Sequence, residues 1–407
     1  MNKKILFVTY GGGHANIVRF VYPYLLQHTD YRLEILALTV AGNTMKKYSI
    51  PFKTLSDYLP LLHNREQILA YGERLAETEY NSASGMSREE SVVYLGCGFS
   101  DLANEVGEEE AWKKFRAIGR KAFCPTEIMK KILEYEDPDL VVVTCDVRTE
   151  LASAYAANAM SIPVLQIADY PGIRYKKYEC RLAVMNSFVR DLAIRYGGFH
   201  EEDVEITGQP VFEDDLTTDP GHLREVKEQI GEYQGRMVLY LEQPLPETAA
   251  IEATLIDIAE RHPKDVFVFK LHPNQDLPDE RTPRRNVMII RDAEVKYLLH
   301  LCDVAITKNS TSGLEATLIG KPLVCLAPDG NESAKRIAEF GVAVYTETLD
   351  ELEQLVYACM EPDSVLSRRL AEGRQQFYNK ENALHNICQC IEQMLEEKAQ
   401  VSESSNP

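Results

Sequence analysis

A chain of 407 residues, 45% hydrophobic and 26% charged, has an ordinary globular composition and is long enough for two domains. Its formal net charge of −19 excludes duplex nucleic acid and anionic membrane surfaces as main partners, because both require clustered cations. Nine scattered cysteines and the absence of any apolar run near ~18 residues point to a reduced, cytoplasmic chain with no transmembrane segment. Met1 to Val8 enters a strand with no secretory apolar core. The spacing of Cys388 and Cys390 is too short for a zinc knuckle, so no metal is expected.

Ile5 to Thr9 reads as a buried strand, and Tyr10-Gly11-Gly12-Gly13-His14 as the turn into a helix from about 15 to 27. The glycines let a ligand approach the backbone closely. The dinucleotide fingerprint is missing, since Asn16 stands where its third glycine belongs and Leu36-Ala37-Leu38-Thr39 ends without an acid. Gly320-Lys321-Pro322 likewise fails as a Walker loop. Residues 51–135 break the strand–helix alternation. They read as a helical insertion with a long connection from Asn81 to Gly98, whose Tyr71, Tyr80, Tyr94, Phe99, Asp101 and Trp112 serve either ligand contacts or packing.

Alternation resumes with a strand ending at Asp146, a helix over 150–160, a strand ending at Asp169, a helix opened by Asn186-Ser187 and a strand at 204–207. An acidic, Pro- and Gly-bearing linker at 208–221 follows. The second half places strands at 237–241, 266–271, 287–290, 304–306, 323–326 and 342–345, with helices between them and further helices at about 349–360 and 364–395. The fold class is α/β: two doubly wound, Rossmann-like parallel-sheet domains facing a cleft. Their bounds are 1–214, including the insertion, and 215–379, with a helix over 380–397 returning to the first domain and a disordered tail at 398–407.

Ser310, Thr311 and Ser312 open a helix at the carboxyl edge of the second sheet, where free N–H groups and the helix dipole favour an anion, with Lys308 and Lys321 nearby. Glu315, three residues past Ser312, fits a capping box as well. His272 ends a strand and either contacts phosphate or packs a turn fixed by Pro273. His14 opens a helix, whose N-terminus favours a neutral ring able to accept a proton. Asp146 and Asp169 end neighbouring strands, where each orients His14, serves as the base itself, or caps a helix.

Four segments carry a family resemblance. Gly11-Gly12-Gly13-His14 is similar to the first glycine-rich loop of nucleotide-sugar transferases. Asn186-Ser187 with Gly208-Gln209-Pro210 resembles the end of the first domain in lipid-sugar transferases, and Lys270-Leu271-His272-Pro273 the His-Pro element of glycerophosphate transferases. Ser310-Thr311-Ser312-Gly313-x-Glu315 with Gly320-Lys321-Pro322 is similar to a diphosphate- and ribose-binding signature. Together they resemble the GT-B glycosyltransferase superfamily, which includes the UDP-N-acetylglucosamine 2-epimerases.

The resemblance implies inverting, metal-independent transfer from a UDP- or CDP/CMP-linked sugar to a saccharide or lipid-linked acceptor, with no further cofactor. His14, Asp146 and Asp169 are then the catalytic candidates. Gly12, Gly13, His272, Ser310, Thr311, Ser312, Gly313 and Glu315 are the donor-binding candidates. An epimerase-like enzyme and a nucleotide-sugar-binding module without turnover are the alternatives. The loop Leu241-Glu242-Gln243-Pro244-Leu245-Pro246 lacks both the basic element of the epimerases and the usual Gly-Ser pair of the transferases.

Overall fold

The structure, a computed structural model, describes residues 2–213, 218–243, 246–271, 286–378 and 381–404. The chain divides into two compact units, one of Met1–Asp169, Ile173–Glu213 and Lys380–Pro407, the other of Tyr170–Gly172 and Asp214–Asn379.

Unit 1 is built on β1 (Lys4–Thr9), β2 (Arg32–Ala37), β3 (Leu140–Val143), β4 (Val164–Ile167), β5 (Arg181–Val184) and β6 (Val204–Ile206). All pair in parallel, in the order β2-β1-β3-β4-β5-β6. β1 is hydrophobic at successive positions because both of its faces are covered. Ile5 and Phe7 join Leu140 and Val142 in one buried cluster, while Leu6 and Val8 join Val141 and Val143 in the other. The first cluster is closed by the helix Gly13–His28, through Ile17, Val18, Val21 and Leu25, and by the C-terminal helix Ala383–Ser404, through Ile387, Ile391 and Leu395. Spacings of three and four residues give each helix one apolar stripe.

The second cluster is covered by the helices of the insertion, and here the expected connection from Asn81 to Gly98 is corrected. Residues Arg88–Val106 form one helix, packed against Arg65–Glu79. Its glycines serve close approach: a Cβ at Gly96 would lie 2.0 Å from the Ile68 carbonyl oxygen, and one at Gly72 would lie 2.0 Å from that of Val92. Tyr71, Phe99 and Trp112 pack on one another, with centroids 4.8 and 4.2 Å apart, and Asp101 accepts from the Glu127 N–H at 2.8 Å. Of the insertion's singled-out residues, Tyr94 is the one bonded to the strand ends, through Tyr10.

Two further expectations are corrected. The helix expected over 364–395 is two, Val365–Phe377 and Ala383–Ser404. The tail expected to be disordered from 398 continues the second of these to Ser404, because Lys398 donates from Nζ to the Asp139 carbonyl at 3.0 Å and anchors its last turns on the sheet. β5 is a strand that the sequence reading does not contain.

Unit 2 repeats the design with β7 (Met237–Leu241), β8 (Val266–Lys270), β9 (Val287–Ile290), β10 (Val304–Thr307), β11 (Leu323–Leu326) and β12 (Val344–Thr346), all parallel, in the order β12-β11-β10-β7-β8-β9. In each sheet the chain builds outward on one side and then crosses to the other. The crossing falls between β1 and β3 in unit 1 and between β7 and β10 in unit 2. Ligands of open α/β sheets bind at the strand ends beside such a switch point.

The insertion is tied to the opposite end of β1 by a buried carboxylate. Glu136 accepts from Lys4 Nζ at 2.6 Å, Lys53 Nζ at 2.8 Å and Tyr58 Oη at 2.7 Å. Burial alone would raise this carboxyl, but the three donors outweigh it and hold it below its ordinary range. Its stabilisation is therefore complete above the unfolded value of about 4.3 and is lost as pH falls through the lower folded value. Glu136→Gln is expected to cost about 3 kcal/mol at neutral pH by stranding Lys4. Urea unfolding at stepped pH should show a shallower acid loss in the variant than in the wild type, and equal slopes would contradict the assignment.

Candidate functional site

At the unit 1 switch point the chain must turn sharply from β1 into a helix. Gly12 permits this with φ 72°, and His14 becomes the second residue of that helix. The turn leaves the Tyr10 N–H without a ladder partner, and the end of β3 does the same to Thr144 and Cys145. One fully buried carboxylate collects all three: Glu150 accepts from Tyr10 N at 2.9 Å, Thr144 N at 2.5 Å and Cys145 N at 2.8 Å, and from Thr144 Oγ1 at 3.0 Å. Burial pushes the Glu150 carboxyl up, while His14 and the backbone donors pull it down.

His14 stands over this knot with Nδ1 3.4 Å from Asp169 Oδ2. Arg174 Nη2 holds the other Asp169 oxygen at 2.5 Å and so fixes the carboxylate that faces the ring. Asp146 is turned elsewhere: Lys177 Nζ lies 2.8 Å from Oδ2 and also donates to the Asp146 carbonyl at 3.0 Å. Neither aspartate caps a helix, and the helix after Asp146 begins at Arg148 with Val147 as its cap residue.

Among the described residues, one group of ligand atoms lies close enough to share an ion, His14, Cys145 and Glu150 within 4.8 Å of one another. Both Glu150 oxygens already accept hydrogen bonds, and burial together with Glu150 pushes the Cys145 thiol far above the range in which it ionises.

At the unit 2 switch point Ser310 caps the helix Thr311–Leu318, its side chain accepting from Ser312 N at 3.3 Å. Thr311 and Ser312 occupy the first two helical positions, and Gly313 packs where a Cβ would meet Thr307 Cγ2 at 2.8 Å. Glu315 is therefore at the fifth helical position, past the third position that a capping box uses, which removes the capping-box reading. His272 lies outside the described residues. Lys270 before it is buried, donates to the carbonyls of Leu271 at 3.0 Å and Arg291 at 2.6 Å, and is held below its usual pKa by that burial.

The two lysines expected beside a phosphate are corrected. Lys308 is 8% exposed and bound between Glu247 at 3.0 Å and Asp329 at 2.5 Å, and Lys321 donates to the carbonyls of His300 and Cys302 at 3.1 and 2.7 Å. Both charges are committed to structure. Sequence reasoning also missed Gln243, which accepts from Asn309 N at 3.2 Å and donates to Asn309 Oδ1 at 3.1 Å, joining the β7 loop to the β10 loop. The one signal for it is its position just past a strand end.

A family model described as capsule polysaccharide biosynthesis protein matches residues 245–328, and no curated protein matches the chain by sequence. Among solved structures, the UDP-GlcNAc 2-epimerase from Neisseria meningitidis bound to UDP-GlcNAc is similar with TM-score 0.63 and 16% identity, covering 96% of this chain and 100% of its own. The glycosyltransferase of kitacinnamycin aligns with TM-score 0.60 and 13% identity over 97% of this chain and 100% of its own. The glycosyltransferase SnogD from Streptomyces nogalater aligns with TM-score 0.54 and 14% identity over 96% and 99%. Two six-stranded parallel sheets with flanking helices, matched by these neighbours over nearly the full chain, are the GT-B fold.

The helix geometry separates two substitutions. Ser310→Ala removes a cap and should lower stability by about 1 kcal/mol. Glu315→Ala, outside any cap, should lower it by less than Ser310→Ala does in the same denaturant titration. A larger loss for Glu315→Ala would restore a structural role for that carboxylate.

Proposed function

We propose that this chain is a nucleotide-sugar-dependent glycosyltransferase of polysaccharide biosynthesis, transferring a sugar to a saccharide or lipid-linked acceptor with inversion and with no resident metal. The observation that carries the reading is the pairing of His14 with Asp169 at the unit 1 switch point. The Asp169 carboxylate lies 3.4 Å from Nδ1 without hydrogen-bonding to it, and from there it stabilises the charge the ring gains when Nε2 takes a proton from an acceptor hydroxyl. With one such base, direct displacement at the sugar carbon inverts its configuration. Asp146 is the lesser candidate, because Lys177 lies 2.8 Å from its carboxylate and balances its charge.

The leaving diphosphate also needs stabilisation, and this task falls to unit 2. The N–H groups and hydroxyls of Thr311 and Ser312 at a helix start, with the helix dipole behind them, favour an anion there. Glu315 on the same helix is suited to accept from a ribose diol. The capsule polysaccharide family match spans this segment, and the UDP-GlcNAc of the meningococcal neighbour supports a uridine-linked donor.

With UDP-sugars as donors, His14→Ala is expected to lower turnover ~10²- to 10⁴-fold while UDP affinity stays within a few-fold. Full turnover in His14→Ala together with an inactive Asp169→Asn would move the base to the carboxylate. Calorimetric titration should show Glu315→Ala binding UDP roughly 10- to 100-fold more weakly, the loss of a hydrogen-bonded charged partner. Unchanged UDP affinity would remove Glu315 from the donor site.

A further inference from the structure

Among the described residues, three carboxylates at the unit 1 switch point, Asp146, Asp169 and Glu150, are matched by cations or backbone donors. Asp146 is held by Lys177, Asp169 by Arg174 and His14, and Glu150 by backbone N–H groups. One cation on the same edge is not: among the described residues, Arg148 has no carboxylate partner. It is nonetheless held in place. Its guanidinium carbon lies 4.6 Å from the centroid of the Tyr10 ring, beside Tyr94, whose hydroxyl is 3.0 Å from that of Tyr10. Tyr10 is locked in turn, donating to Thr149 Oγ1 at 3.1 Å and accepting from Thr149 N at 3.2 Å. Arg148 also has φ 49°, a left-handed conformation that favours glycine.

We infer that Arg148 binds the anionic group of a negatively charged acceptor, a carboxylate or phosphate carried by a saccharide. Tyr94 engages one side of the stacked guanidinium, and the donors left over are those that can meet either anion. The charge of the whole chain gives this weight. At a net charge of −19 the molecule repels anions at long range, and screening over about 8 Å leaves local cations to decide what binds at one edge. The inference rests on the transferase reading, which assigns the donor diphosphate to unit 2 and leaves the anion met by Arg148 to the second substrate.

The test is calorimetric titration of the full chain with glucuronate, glucose 6-phosphate, neutral glucose and UDP, for the wild type, Arg148→Gly and Arg148→Lys. Glycine suits φ 49°, so Arg148→Gly removes the charge without straining the turn. The wild type is expected to bind glucuronate or glucose 6-phosphate at least tenfold more tightly than glucose, and the tighter of the two identifies the anion as carboxylate or phosphate. Arg148→Gly should abolish the preference with UDP affinity unchanged, and Arg148→Lys should keep part of it. No preference in the wild type, a preference retained in Arg148→Gly, or a loss of UDP binding in that variant overturns the inference. An Arg148-dependent preference in a protein that binds no UDP would sink the transferase reading instead and leave the anion site standing.

Discussion

A parallel sheet covered by helices on both faces admits a ligand only where its strands end, and best where the chain reverses the order in which it adds strands. Both units of this chain obey that constraint. The residues with chemical capacity gather beside the β1/β3 boundary in unit 1 and the β7/β10 boundary in unit 2. The constraint creates a difficulty, because strands that stop there leave backbone N–H groups pointing into a desolvated crevice. In unit 1 the difficulty is met by Glu150, which binds three such groups from two strands and thereby fixes both the glycine turn and the loop after β3. His14 and Arg148 each take their position from one of those loops.

Unit 2 meets the same problem with a different charge pattern. Gln243 bridges the two loops as a neutral amide, and Lys308 is anchored between two carboxylates. A buried cation with two acidic partners is costly to separate from them, so the charge of Lys308 is largely balanced within the protein. In the proposed reading, attraction for a diphosphate falls to the start of the helix Thr311–Leu318, where Ser310 caps the first N–H groups and the helix dipole favours an anion.

The architecture was legible in the sequence because its signals are local. Uninterrupted apolar runs mark buried strands, Ser310 marks a helix start, and Gly320 with φ 84° marks its stop. Most of the errors come from dependence on distant partners. A glycine reads the same whether it serves a turn or lets two helices touch, so Gly96 was assigned to a connection. β5 is four residues long and follows an irregular stretch, too brief to show a period. In the site, residue types and strand ends were readable but pairings were not. Glu150 looks like an ordinary acid in a first helical turn, and its main partner Tyr10 is 140 residues away. Nothing local distinguishes Asp169, which faces His14, from Asp146, which faces Lys177. Nor does a nearby sequence reveal that Lys308 and Lys321 are already engaged.

The central claim is that the chemistry at these edges breaks the bond between sugar and diphosphate and leaves the sugar's other carbons untouched. Epimerisation on the same fold would have to break a C–H bond, and a proton returned from solvent would mark that carbon. The direct measurement is incubation of the wild type with UDP- and CDP-linked sugars in deuterated water, followed by NMR and mass spectrometry of nucleotide and sugar. The account predicts release of free nucleotide from one donor, stimulated by an acceptor, with no deuterium on a sugar carbon. An intact nucleotide sugar carrying deuterium at a carbon adjacent to the anomeric centre would contradict it.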